Sequence, residues 1–164
     1  MPNRLHRILT FALCLSTLPV VAVSADQQAA GRTSGKSIER GRYMVKIAGC
    51  NDCHTKGYPE SAGAVPEKDW LMGSALGHSG PWGTTYPANL RLAMTRMTEA
   101  EWVKAGHTTQ YRPPMPWFAL RDMSNDDLRA IYRFVRSLGP AGTPAPAYVP
   151  PGQAPQGPVV QYPG

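Results

Sequence analysis

Cysteine is scarce in this 164-residue chain, with only Cys14, Cys50 and Cys53. Cys14 lies inside an apolar N-terminal run, which leaves one pair two residues apart. A disulfide across that gap would close a very short loop and constrain the unfolded chain little, so a disulfide scaffold is excluded. Without a second pair there is no four-ligand structural zinc site. A thioredoxin-like redox pair would sit beside a βαβ pattern, and none is found. No basic cluster is present, which argues against nucleic-acid binding. Lys and Arg number 17 against 11 Asp and Glu, a formal charge of +6. The charge falls to about +4 without Arg4 and Arg7, a mildly basic surface that could attract an acidic protein weakly. No acid, base and nucleophile converge in the sequence, so the chain is not expected to be an enzyme in its own right. Glu99, Glu101, Asp126 and Asp127 have plainer places at helix starts.

Residues 1–25 have the layout of a secretory signal peptide. Arg4 and Arg7 precede an apolar run from Ile8 to Val23, which Ser16, Thr17 and Pro19 interrupt. Val23-Ser24-Ala25 then offers small residues for cleavage before Asp26. The run is too short and too broken for a membrane span; the alternative is an uncleaved amphiphilic anchor. Leu13 stands where a lipoprotein site would need a small residue before Cys14. The expected location is periplasmic. Residues 26–36, polar with two glycines, read as a flexible lead-in, 37–139 as the folded domain and 140–164 as a Pro-rich tail.

Cys50-Asn51-Asp52-Cys53-His54 has the spacing of a c-type haem attachment site. Cys50 and Cys53 would form thioethers to the haem vinyl groups, and His54 would supply the proximal iron ligand. With no further cysteines, one haem c is expected. Gly41, Met44, Val45 and Ala48 share one face of a helix that begins near Ser37 and leads into the motif. A glycine inside a helix is costly, and a close helix crossing at Gly41 would account for it. Residues 54–66 and 73–92 read as irregular loops, the second packed on something flat and apolar. Thr98 and Glu101 form a capping box for a second helix, ending by Gly106, with Met97 stapled to Trp102. Ser124, with Asp127 three residues on, starts a last helix whose Leu128, Ile131, Tyr132 and Val135 share a face. Gly139-Pro140 stops it. The tail holds eight of the seventeen prolines. It favours an extended form, disordered or lying along the domain through Tyr148, Val149, Val159, Val160 and Tyr162.

A second iron ligand is expected from Met115. The alternatives are Met72, Met94, Met97, Met123, His78 and His107. Pro113, Pro114 and Pro116 bracket Met115 in a stiff loop that cannot be helical in its middle. A thioether is a weak ligand, so holding it in place matters, and His/Met ligation raises the reduction potential. The other ring nitrogen of His54 needs a carbonyl partner, for which Gly80, Pro81 and Tyr86 are candidates.

Gly41-Arg42-Tyr43, Cys50 to Thr55, Gly80-Pro81-Trp82-Gly83-Thr84-Thr85-Tyr86, Pro114-Met115-Pro116-Trp117 and Met123 to Leu138 carry a resemblance. In their order, over roughly Ser37 to Gly139, the chain resembles a class I c-type cytochrome domain. It is similar to the haem domains in cytochrome subunits of bacterial membrane alcohol dehydrogenases, which carry several such domains where this chain has one. The resemblance implies an all-α fold: a small cytochrome c-like domain of three to four helices around one covalently bound haem, with long irregular loops. It implies that the first and last helices cross near Gly41 and an aromatic such as Tyr132. Tyr43, Trp82, Trp117 and Tyr132 would be packing residues, with Trp82 or Trp117 able to reach a propionate. Cys50, Cys53, His54 and Met115 would bind the cofactor. The function then expected is single-electron transfer between a dehydrogenase or quinol-oxidising complex and a terminal acceptor such as an oxidase. Any membrane association would be peripheral, through a partner. Two alternatives are a dedicated haem subunit of one oxidoreductase, with the tail as docking strap, and a haem-based small-molecule sensor.

Overall fold

Gly41 decides how the two longest helices meet. Helix α1 spans Ala25–Ile47 and α6 spans Asn125–Ser137. A Cβ on Gly41 would overlap the Ala130 carbonyl and press on Phe134, so only glycine permits this crossing. The structure, a computed structural model, describes residues 25–163, with side chains from Gly31 onward. The expected signal segment lies outside the described residues apart from Ala25. The stretch 26–36, expected as a flexible lead-in, is helical and continuous with α1.

Between the long helices run α2 (Cys50–His54), a 3-10 turn at Glu67–Asp69, strands β1 (Gly77–Gly80) and β2 (Gly83–Thr85), then α3 (Leu90–Ala93), α4 (Glu99–Thr108) and α5 (Trp117–Arg121). Strand β3 (Val159–Gln161) comes last. The all-α expectation of three to four helices is thus corrected, among the described residues, to six helices and a small sheet of order β2-β1-β3. The strands have three or four residues and two of them are rich in glycine, too short to leave an alternating pattern. β1 and β2 form an antiparallel hairpin with Gly80 opposite Gly83, and β3 from the tail pairs parallel to β1.

Met44, Val45, Leu128, Ile131, Phe134 and Val135 are buried between α1 and α6, joined by Trp70, Leu71, Met94, Trp102 and Leu120. Each such side chain contributes roughly 1.5–3 kcal/mol. The aromatic at the crossing is Phe134 rather than Tyr132, whose hydroxyl instead donates to the Met97 carbonyl at 2.9 Å. Thr98 and Glu101 form the expected capping box, and Ser124 Oγ accepts from Asp127 N–H. Gly106 does not end α4. It sits inside the helix, where an added Cβ would press on Leu128. Ion pairs Arg40–Asp127 and Arg133–Glu99 run along the exposed side of the helices. Arg91 is buried in α3 and donates to the Gly139, Lys68 and Leu138 carbonyls, which fixes the end of α6. No helix among the described residues is long and apolar enough to cross a membrane.

The tail is ordered along the domain. Thr84 and Val149 exchange two backbone hydrogen bonds, and Tyr162 N–H donates to the Ser79 carbonyl. Asn89 Nδ2 donates to the Ala141 and Thr143 carbonyls, and Tyr86 Oη to the Gln156 carbonyl.

Candidate functional site

The turn after α1 sets up the site. Gly49 has φ +69°, a conformation that favours glycine, and it lets the chain break from α1 and start α2 at once. Cys50 and Cys53 are three residues apart on that short helix, so both thiols face the same way. Both are free. Buried Asn51 and Thr55 pin the helix from behind. Thr55 Oγ1 donates to Asn51 Oδ1 at 2.7 Å and accepts from Leu71 N–H at 2.8 Å. Leu71 is itself buried with φ +62°, a strained position for a non-glycine residue. Leu90 N–H donates to its carbonyl, so this one residue ties α2 to α3.

His54 is buried, and its Nδ1 lies 2.7 Å from the Ala88 carbonyl oxygen. That contact makes Nδ1 the protonated nitrogen and leaves the Nε2 lone pair available. The carbonyl belongs to Ala88, not to Gly80, Pro81 or Tyr86, because the loop before α3 brings Ala88 under the ring. Burial lowers the His54 pKa, against the opposing effect of the Ala88 carbonyl, so the imidazole is neutral at pH 7. Burial also pushes the Cys50 thiol up to about 11 and raises that of Cys53.

The 111–116 loop lines a cavity of about 400 Å³. Cys50, Cys53, His54 and Met115 all line that one cavity. Ile131, Leu120, Trp102 and Leu90 complete much of its apolar wall. The loop is tied back by Thr85 Oγ1, which donates to the Pro113 carbonyl at 2.7 Å. Met115 N–H donates to the Arg112 carbonyl, and the Met115 carbonyl accepts from Trp117 N–H, which starts α5. Sequence patterns did not reveal α5, because the prolines before it mask a five-residue helix.

No protein-family model matches the chain, and comparison with curated proteins and with solved structures likewise gave no match.

The other candidate ligands divide. His107 and Met72 are not part of the cavity wall. His107 Nδ1 faces the Arg121 carbonyl and Nε2 faces Asn125 Oδ1, so both nitrogens are occupied. Met94, Met97, Met123 and His78 do line the cavity. Met94 is buried in the core, and Met97 and Met123 pack against it at helix starts. His78 Nδ1 lies 3.1 Å from Tyr162 Oη. Trp82 Nε1 donates to the His78 carbonyl at 3.3 Å, so that indole is engaged within the hairpin. Two tail residues, Pro146 and Tyr148, also line the cavity, a contribution that local patterning could not reveal. No group of three or more His, Cys, Asp or Glu side chains that could hold a metal ion occurs among the described residues.

The chemistry of the wall fits a flat, largely apolar cofactor bound through two thiols, one imidazole and one thioether. A bare metal ion would want a denser set of charged or imidazole ligands.

Proposed function

We propose that the chain is a periplasmic mono-haem c-type cytochrome that carries single electrons between a dehydrogenase or quinol-oxidising complex and a terminal acceptor. The observation that carries this reading is the shared cavity: both thiols of the Cys50–His54 motif, the His54 imidazole and Met115 line one apolar space. In this reading Cys50 and Cys53, both free thiols on one short helix, would hold the haem covalently. His54 would offer Nε2 as one iron ligand, its ring oriented by the Ala88 carbonyl. Met115, which lines the same cavity, would offer its sulfur as the other. When bound, haem iron supplies reversible one-electron transfer. The protein's share would be to orient the group, to exclude water and to hold His54 and Met115 in place.

Two such donors on one cavity would favour an electron carrier over a small-molecule sensor. The chain so read is a class I c-type cytochrome, related to the haem domains of alcohol dehydrogenase cytochrome subunits. Arg4, Arg7 and the interrupted apolar run of 8–23 support export, which haem attachment of this kind requires. As a dedicated subunit the chain would need another surface than the tail, which is spent on its own sheet and cavity.

Absorption spectra of the exported protein in both redox states test the reading. A covalent c-type haem with low-spin bands is expected, and its absence overturns it. Met115→Ala should convert the ferrous form to one that binds carbon monoxide readily. An unchanged spectrum in that variant would move the distal ligand to Met94, Met97, Met123 or His78.

A further inference from the structure

The cavity wall carries one permanently charged side chain. Among the described residues that line it, Arg112 is the sole Lys, Arg, Asp or Glu. Its guanidinium carbon lies 4.0 Å from the centroid of the Tyr148 ring. Among the described residues the guanidinium makes no hydrogen bond and no ion pair. Stacking on a ring occupies the face of the guanidinium and leaves the N–H donors at its edge free.

Tyr148 is well placed to hold that stack. Its hydroxyl donates to the Trp82 carbonyl at 2.7 Å, and the next residue pairs with Thr84. Gly83 makes this possible: it has φ +92°, and any Cβ there would overlap the Val149 carbonyl.

The geometry points to Arg112 as the residue that receives the carboxylate edge of the cavity's occupant, with Tyr148 of the tail as its positioning residue. This rests on the haem reading, in which the two propionates are the anionic part of an otherwise apolar molecule. A guanidinium meets a carboxylate through two parallel N–H bonds, which fixes the orientation of the ring edge that bears it. No acidic side chain on the wall competes for the cation. Arg112 and Tyr111 are exposed, so the carboxylates would stay partly hydrated and no isolated charge would be buried. The tail then has a task beyond covering the fold: it holds the one cation that orients the cofactor.

The test uses the full-length, haem-loaded protein and reads the resonance Raman propionate bending band, together with the reduction potential at low and high salt. Arg112→Gln should move the band toward weaker hydrogen bonding. It should also lower the potential, because removing a cation near the iron favours the oxidised form, and high salt should shrink that difference. Arg112→Lys should restore most of the potential but not the band. Tyr148→Leu should change both in the same direction by less, while Tyr148→Phe keeps the ring and should leave the band in place. An unmoved band and potential in Arg112→Gln, with haem still attached, overturns the proposal and leaves the haem reading standing. If Arg112→Gln acts and Tyr148→Leu does not, the positioning role falls. If no haem is attached to the parent protein, both readings fall together.

Discussion

Two of the cavity's lining residues, Leu120 and Ile131, form a helical side that belongs to a continuous apolar core, packed behind a crossing that only Gly41 allows. Three others, Thr85, Arg112 and Tyr148, form a sheet-and-tail side and are joined by single hydrogen bonds and one ring contact to segments far away in the chain. The helical side is held by burial, which is cumulative and close-packed, so that a change of even one methylene is felt. The sheet-and-tail side is held by a few directional bonds at a partly exposed surface, each worth about 0.5–1.5 kcal/mol net. A site built this way keeps the Cys50–His54 helix rigid while the Met115 loop can be tuned by single changes.

The largest expected effect breaks the helical side. Gly41→Ala drives a Cβ into the Ala130 carbonyl, and the helices must separate. A loss of about 3 kcal/mol or more is expected from denaturant unfolding, with the cavity lost along with the fold. Gly83→Ala should be milder and confined to the other side. It adds backbone strain and crowds Val149, a cost of about 1–3 kcal/mol. Proteolysis should then remove the tail after Gly139 while the remaining helices stay protected from hydrogen exchange. If the whole domain unfolds instead, the two sides are one cooperative unit.

Thr85→Val removes the bond to the Pro113 carbonyl, which solvent can partly replace. The stability loss should be about 1 kcal/mol. If the proposed haem is bound, the sensitive readout is carbon monoxide binding by the ferrous protein, which should quicken as the Met115 loop loosens. The smallest effect concerns Arg40–Asp127. The hydrogen bond from Arg40 lowers the Asp127 pKa below the ordinary carboxylate value. The pair therefore stabilises the fold above the unfolded-state pKa, and its contribution disappears as pH falls through the lower, folded value. Asp127→Asn should remove that acid-side dependence and shift the melting temperature at neutral pH only slightly, since the pair is exposed and screened.

The helical side was legible in the sequence because its information is local. The spacing of Leu128, Ile131 and Val135 and the box of Thr98 and Glu101 lie within one or two turns, and α6 and α4 follow them. Phe134 escaped because the apolar face of α6 is wider than one stripe of the i, i+3, i+4, i+7 pattern. The motif Cys50–His54 and the choice of Met115 over Met72 or His107 as a cavity residue could also be read locally, from a rigid loop. Its competition with Met94, Met97 and Met123 could not, since four methionine side chains reach one wall. The sheet was illegible for the opposite reason. His78 pairs with Val160 and Thr84 with Val149, and nothing in either segment alone announces a partner so distant. The same holds for Ala88 under His54: its carbonyl is a backbone group, and any residue type would supply it.

The pairing of the tail also fixes an order of events. A chain that leaves a ribosome or an export channel N-terminus first offers α2 and the Met115 loop well before Pro146 and Tyr148 emerge. The wall formed by those two residues is the last to be built. Until it closes, the cavity has an open flank, and a rigid planar molecule can enter sideways rather than through the finished mouth.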